Sequence, residues 1–216
     1  MTTRNTHRYD YLRDPAAIYR ASFAAIEREV DLAGIAPELY PLALRLMHAA
    51  GDTSVIAGLA ASPGAVAAGR AALASGAPIL VDAAMVASGI TRRHLSAGNR
   101  VIATIGDARL PDLAQSLGTT RSAAAVELWR DDLAGALVAI GNAPTALFHL
   151  LEMIGDGAPH PALILGFPVG FVGASEAKAA LIANPFGLPF IALPGRRGGS
   201  ALAAAAVNAL ALGDAR

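Results

Sequence analysis

The sequence predicts a single α/β domain built as a three-layer α/β/α sandwich around a mainly parallel sheet. Two observations carry this. Apolar runs of strand length alternate with helical patterns along the chain, and in the C-terminal half one device occurs three times: a buried-type apolar run, a glycine-rich corner, then a helix. Parallel strands covered on both faces lose the in/out alternation of half-exposed strands and read as unbroken apolar runs. The length of 216 residues suits one large domain with ample chain for a core.

Taken in order, 15–30 follows the loop signal Asp14-Pro15 and places Ile18, Phe23 and Ile26 among charged residues, which predicts an amphipathic helix. Residues 37–50 repeat the pattern with Leu39, Leu42, Leu46 and Met47. An alanine-rich helix is expected over 63–75, stopped at Gly76, with a strand over 77–81 and Asp82 at its end. A further strand covers 101–105 up to Gly106, and helices follow at 110–117 and after the capping signal 119–122. The three strand-and-corner units then run 136–140 into 141–145, 162–165 into 166–175, and 190–193 into 195–200. Open α/β sheets bind ligands at the carboxyl ends of their strands, so three neighbouring corners predict one shared site. Glycine permits close backbone approach, and a helix start offers unpaired N–H groups to an anion, which suits a large anionic ligand. Tight strand-to-helix turns also need glycine whatever they bind, so the corners alone leave both readings open.

Composition excludes several function classes. Seventeen basic residues balance seventeen acidic ones, so no net field draws the chain to nucleic acid or to an anionic membrane surface. Lys178 is the only lysine and the other basic residues are arginines, the better fork for carboxylates; base composition of the genome would give the same bias. The chain has no cysteine, which removes disulfides and thiolate chemistry and points to a reducing cytoplasm. Its first twenty residues lack the apolar stretch of a secretion signal. The uncharged stretch 133–151 contains Gly135, Gly141, Asn142 and Pro144, which makes it a strand and a corner rather than the roughly 20-residue apolar helix that a membrane span requires.

Among the histidines, His7, His94, His149 and His160 have no patterned partner, and no histidine spacing indicates a metal site. His48 stands apart. It closes an apolar helical stretch, with Arg45 one turn earlier on the same side and Gly51 just beyond; a proton carrier and a helix C-terminal capping histidine both fit that spacing. A nucleotide or phosphate binder is the runner-up, but no GxGxxG follows the first strand and no GxxxxGK[ST] occurs. Ser175 and Ser200 lack the GxSxG setting of an acyl-transfer nucleophile.

Seven segments taken together resemble precorrin-8X methylmutase, the precorrin isomerase family: Tyr-Asp-Tyr-Leu-Arg-Asp-Pro at 9–15, Ile-Tyr-Arg-Ala-Ser-Phe at 18–23, Arg-Leu-Met-His-Ala-Ala-Gly at 45–51, Thr-Arg-Ser-Ala-Ala-Ala at 120–125, Gly-Asn-Ala-Pro-Thr-Ala-Leu-Phe at 141–148, Pro-Val-Gly-Phe-Val-Gly-Ala at 168–174 and Gly-Arg-Arg-Gly-Gly-Ser at 195–200. The resemblance implies one methylmutase domain over residues 9–212. It implies an isomerase of corrin ring (vitamin B12) biosynthesis that moves a methyl group from C-11 to C-12 of precorrin-8X, giving hydrogenobyrinic acid. The family's proton-transferring histidine falls on His48, and its substrate-contacting serine and arginine fall on Ser22 and Arg45. Arg121, Asn142, Thr145, Arg196, Gly198 and Gly199 are further substrate-binding candidates because they sit at the corners. The methyl group migrates within one molecule, so no methyl donor, metal or other cofactor is implied. The implied ligand is a tetrapyrrole polycarboxylate, and the implied assembly is a cytoplasmic homodimer with no nucleic-acid or membrane partner.

Ala50, Ala84 and Gly106 stand where relatives often carry a cysteine, a glutamate and an arginine. The sister branch, which handles cobalt-precorrin-8, therefore stays open. So does a non-catalytic carrier that holds the macrocycle without turning it over.

Overall fold

A computed structural model describes residues 9–213; His7 and the segment before Tyr9 lie outside it. The elements in order are α1 (Pro15–Glu29), α2 (Tyr40–Ala50), β1 (Ala60–Ala61), α3 (Ala65–Ala74), β2 (Ile79–Val81), α4 (Ala84–Gly89), β3 (Val101–Ala103), α5 (Leu110–Leu117), α6 (Arg121–Glu127), β4 (Leu137–Ile140), α7 (Pro144–Gly155), β5 (Leu163–Gly166), α8 (Ala174–Ile182), β6 (Phe190–Ala192) and α9 (Ser200–Leu212). Local chemistry sets the boundaries. Asp14 caps α1 by accepting from the Ala16 N–H, with Pro15 at the first helical position, and Thr120 caps α6 by accepting from the Ala123 N–H.

The six strands lie in the order β1-β6-β5-β4-β2-β3, parallel throughout except for the antiparallel edge pair β1 and β6. Strand residues alternate strictly between two cores. Ile79, Val81, Leu137, Ala139, Leu163, Leu165 and Ile191 face the layer of α1 to α4 and α9. Leu80, Val138, Ile140, Ile164, Phe190 and Ala192 face Trp129, α7 and α8. This is the three-layer sandwich expected from the uninterrupted apolar runs: both strand faces are buried, so no polar alternation survives.

Three local expectations change. The segment 37–50 starts as a 3-10 turn, Pro37–Leu39, before α2 begins. The strand expected over 101–105 stops at Ala103, because Thr104–Gly106 forms a 3-10 turn. There the Thr104 hydroxyl donates to the Ala125 carbonyl and accepts from the Trp129 indole, tying the strand end to the opposite layer. Strand β1 and helix α4 were not expected at all.

The connections out of β2 and β4 leave in opposite directions: β2 leads to β3 on one side, β4 to β5 on the other. The boundary between β2 and β4 is thus the switch point, where an open α/β sheet ordinarily presents a ligand crevice. No helix among the described residues is long and apolar enough to cross a membrane.

Candidate active site

His48 lies in the last turn of α2 and packs against α1. Ser22 Oγ and His48 Nδ1 are 2.8 Å apart, so a hydrogen bond occupies one ring nitrogen and leaves Nε2 outside it. The Phe23 ring stacks on the imidazole, with centroids 5.2 Å apart and planes 15° from parallel, and Tyr19 tilts against it at 5.4 Å. Arg45, one turn before His48, donates to the Tyr19 hydroxyl and lies 5.7 Å from the Phe23 ring centroid. Ser22, Arg45 and His48 therefore lie together where α1 packs on α2. The spacing on α1 explains how: Tyr19, Ser22 and Phe23 are three and four residues apart and share one helix face. Tyr19 and Phe23 were missed as site residues because an aromatic pair at helical spacing reads as core.

The three corners also meet. A Cβ on Gly141, after β4, would come within 2.9 Å of Ser200 Cα and 2.8 Å of Ala203 Cβ at the start of α9. A Cβ on Gly198, after β6, would sit 2.3 Å from the Phe167 carbonyl oxygen and 2.5 Å from that of Pro168, a contact that only glycine allows. Backbone bonds join the same two corners, from the Gly199 N–H to Phe167 O at 2.8 Å and from the Gly170 N–H to Arg196 O at 3.2 Å. Arg196 is exposed and reaches over the ring of Phe171, itself 86% exposed. Arg121, in the first turn of α6, donates to the Ile105 carbonyl, and Thr145, in the first turn of α7, shares a 2.8 Å hydrogen bond with Thr120. The candidates thus fall into three groups: Ser22, Arg45 and His48; Arg121 and Thr145; Arg196, Gly198 and Gly199.

The expected anion cradle after β4 is not available. Asp82, 1% exposed at the end of β2, accepts from the N–H groups of Gly141, Asn142 and Ala143 at 2.8, 2.9 and 2.7 Å. Burial pushes its carboxyl up from the ordinary range, against the pull of those three donors. A fixed carboxylate therefore fills the switch point and uses the amides that a ligand would need. Asp82, the carboxylate at the end of the 77–81 strand, is a clamp on the corner, while the Asn142 side chain stays exposed.

A bridge links the corner after β6 to the helix of His48. The Arg197 guanidinium donates to Ser54 Oγ at 2.8 Å and lies 3.4 Å from the Asp52 carboxylate, in the loop that leaves α2. On another side of Arg45 lies the run Arg92-Arg93-His94. Burial, then the neighbouring charges of Arg93 and Arg45, hold the His94 pKa below its ordinary value. Three successive basic residues in a chain of zero net charge were the available signal for this cationic surround. His149, which has no patterned partner in the sequence, bonds Glu127 at 2.8 Å; Arg130 bonds the same carboxylate, which makes this a structural ion cluster. Among the described residues, no group of three or more histidines and carboxylates is placed to hold a metal ion.

The arrangement offers one oriented imidazole, arginine side chains on separate elements, and glycine corners packed closely on one another. The family described as precorrin-8X methylmutase matches residues 17–212. A precorrin-8X methylmutase of Pseudomonas aeruginosa is 62% identical over 202 residues, covering 94% of this chain and 97% of that protein. A cobalt-precorrin-8 methylmutase of Priestia megaterium is 34% identical over 92% of this chain and 88% of its own length. A crystal structure of the precorrin-8X methylmutase from Thermus thermophilus superposes with a TM-score of 0.82 at 42% identity, covering 91% of this chain and 94% of the other.

Proposed function

We propose a residue-level mechanism from one premise: the chain belongs to the precorrin-8X methylmutase family and is an isomerase of vitamin B12 biosynthesis. The substrate we propose is precorrin-8X itself, whose methyl group moves from C-11 to C-12 to give hydrogenobyrinic acid. The contrast between 62% identity to the precorrin-8X enzyme and 34% to the cobalt-precorrin-8 enzyme favours the cobalt-free substrate.

The observation that carries the mechanism is the 2.8 Å Ser22–His48 contact beneath the stacked Phe23 ring. It occupies Nδ1 and, with the stacked ring, holds the plane of the imidazole, so Nε2 is the nitrogen that gives a proton to the conjugated macrocycle and recovers one when the rearrangement is complete. Protonation shifts the double bonds so that a [1,5] methyl migration becomes accessible. An isomerisation leaves composition unchanged, and the proton account therefore closes on one group. Arg45, Arg121 and Arg196 grip peripheral carboxylates from three directions, where the planar guanidinium pairs well with a carboxylate. Asn142, Thr145, Gly198 and Gly199 line the approach. Holding one orientation supplies the entropic share of catalysis, and the histidine supplies the acid–base share.

The catalytic unit of this proposal spans residues 9–212 and works in the cytoplasm as a homodimer. The exposed Tyr9, Tyr11 and Leu12 before α1, 82%, 61% and 58% accessible, fit apolar contact with a second copy beside the His48 helix pair. The test is an anaerobic absorbance time course with precorrin-8X. The wild type should develop the hydrogenobyrinate spectrum, while His48→Ala should bind the macrocycle yet turn over slower by about 10² to 10⁴. Binding without turnover by the wild type would make the protein a carrier; equal rates in both proteins would remove His48 from the mechanism.

A further inference from the structure

The only lysine of the chain is buried. Lys178, on α8, has 0% exposure, and its Nζ donates to the Arg197 carbonyl at 2.6 Å. Burial lowers its pKa to about 8. Desolvating an ammonium costs free energy that an apolar side chain in the same place would not, so packing alone does not account for it. The bond fixes the peptide between Arg197 and Gly198, next to the position where a Cβ would collide with the Phe167 and Pro168 carbonyl oxygens. From that peptide two arginines diverge. Arg196 stands over Phe171, and Arg197 reaches Ser54 and Asp52 in the loop leaving the His48 helix. The loop is itself ordered: Asp52 accepts from the Ser54 N–H at 2.8 Å and from its hydroxyl at 2.7 Å.

We propose that Lys178 is a positioning residue for the isomerase: by holding the Arg197 carbonyl it fixes the corner that carries Arg196 in register with the helix that carries His48. The chain of contacts runs from Lys178 Nζ through the Arg197 backbone and guanidinium to Ser54 and Asp52, and so to the end of α2. Lys178 touches no substrate in this scheme. It sets the distance between a carboxylate grip and the proton donor, which a large rigid ligand must satisfy at once. The inference rests on the reading of His48 and Arg196 given above.

Steady-state kinetics with precorrin-8X test it on Lys178→Met, Arg197→Ala, the double variant and His48→Ala, with thermal melts as a check of folding. The brace requires Lys178→Met and Arg197→Ala each to raise KM on the order of tenfold with a smaller change in kcat. The double variant should be no worse than the worse single one, because both substitutions cut one chain of contacts. A KM within twofold of wild type in a folded Lys178→Met, or independent multiplicative losses in the double variant, would overturn the brace. Should Lys178→Met fail to fold, Arg197→Ala decides alone, since that side chain is exposed, and an unchanged KM would overturn the proposal. His48→Ala separates the two readings. Normal turnover there removes the site reading, whereas lost turnover there with a normal Lys178→Met removes only the brace.

Discussion

The corners after β4 and after β6 share one plan of strand, glycine turn and helix, yet they are secured by opposite charges. After β4, a buried carboxylate from a neighbouring strand takes three backbone N–H groups. After β6, a buried ammonium from a neighbouring helix takes a backbone carbonyl. The first clamp consumes the anion-binding amides and leaves the corner closed. The second holds the peptide and leaves the Arg196 guanidinium exposed over Phe171 while that of Arg197 bridges to Ser54 and Asp52. A glycine corner at a strand end is therefore not by itself an anion site: the partner that secures it decides which polar groups remain. In the proposed site, arginines rather than these amides are left to grip carboxylates.

The comparison breaks most readily at the first corner. Asp82→Ala orphans three N–H groups, two of them on buried residues, and at about 1–3 kcal/mol for each unsatisfied group the loss should reach at least about 3 kcal/mol, measured by urea unfolding. Asp82→Asn keeps one acceptor oxygen for the Asn142 and Ala143 N–H groups but turns its NH2 toward the Gly141 N–H, so it should lose less than Asp82→Ala; an equal loss would mean that a single acceptor oxygen does not secure the corner. At the second corner, Gly198→Ala forces a methyl group against two carbonyl oxygens and should cost about 1–3 kcal/mol. It should also raise KM for the macrocycle, whereas alanine at Gly195, where a Cβ would meet nothing within 4 Å, answers only for its positive φ of 77°. The smallest effect is electrostatic. The Lys178 pKa is about 8 in the folded chain, below its unfolded value, so above pH 8 the unfolded chain holds more protons and stability rises with pH. Between pH 8 and pH 9 this contributes about 1 kcal/mol, and in Lys178→Met that component of the denaturation profile should be absent. A profile identical to wild type would show that Lys178 does not titrate in this window.

Much of this was legible in the chain. The strands at 136–140, 162–165 and 190–193 announced themselves because burial on both faces leaves no polar alternation to confuse with a helix. Arg45 and His48 were legible as neighbours from helical geometry, and their partnership with Ser22 came from resemblance to a family. The clamps were not legible, since both are contacts between residues far apart in sequence. Asp82 reads as an available strand-end carboxylate until β4 is placed beside it. Lys178 reads as the solvated residue of the alanine-rich helix α8, and only the packing of that helix under the β6 corner buries it. Strand β1, two alanines long, carries no pattern at all: it exists because the edge of β6 has backbone groups to pair.

The Asp82 clamp joins residues 59 to 61 positions apart, and this has a consequence in time. While β4 is undocked, Asp82 faces water and the chain from Gly141 to Ala143 is an ordinary flexible turn. Docking of β4 alongside β2 desolvates the carboxylate and captures the three amides in one event. The corner that opens α7 is thus a product of long-range assembly, and a chain segment of that length must be closed before its bonds can form. A partly folded chain in which β4 has not docked beside β2 would own all of these residues and still lack the secured corner.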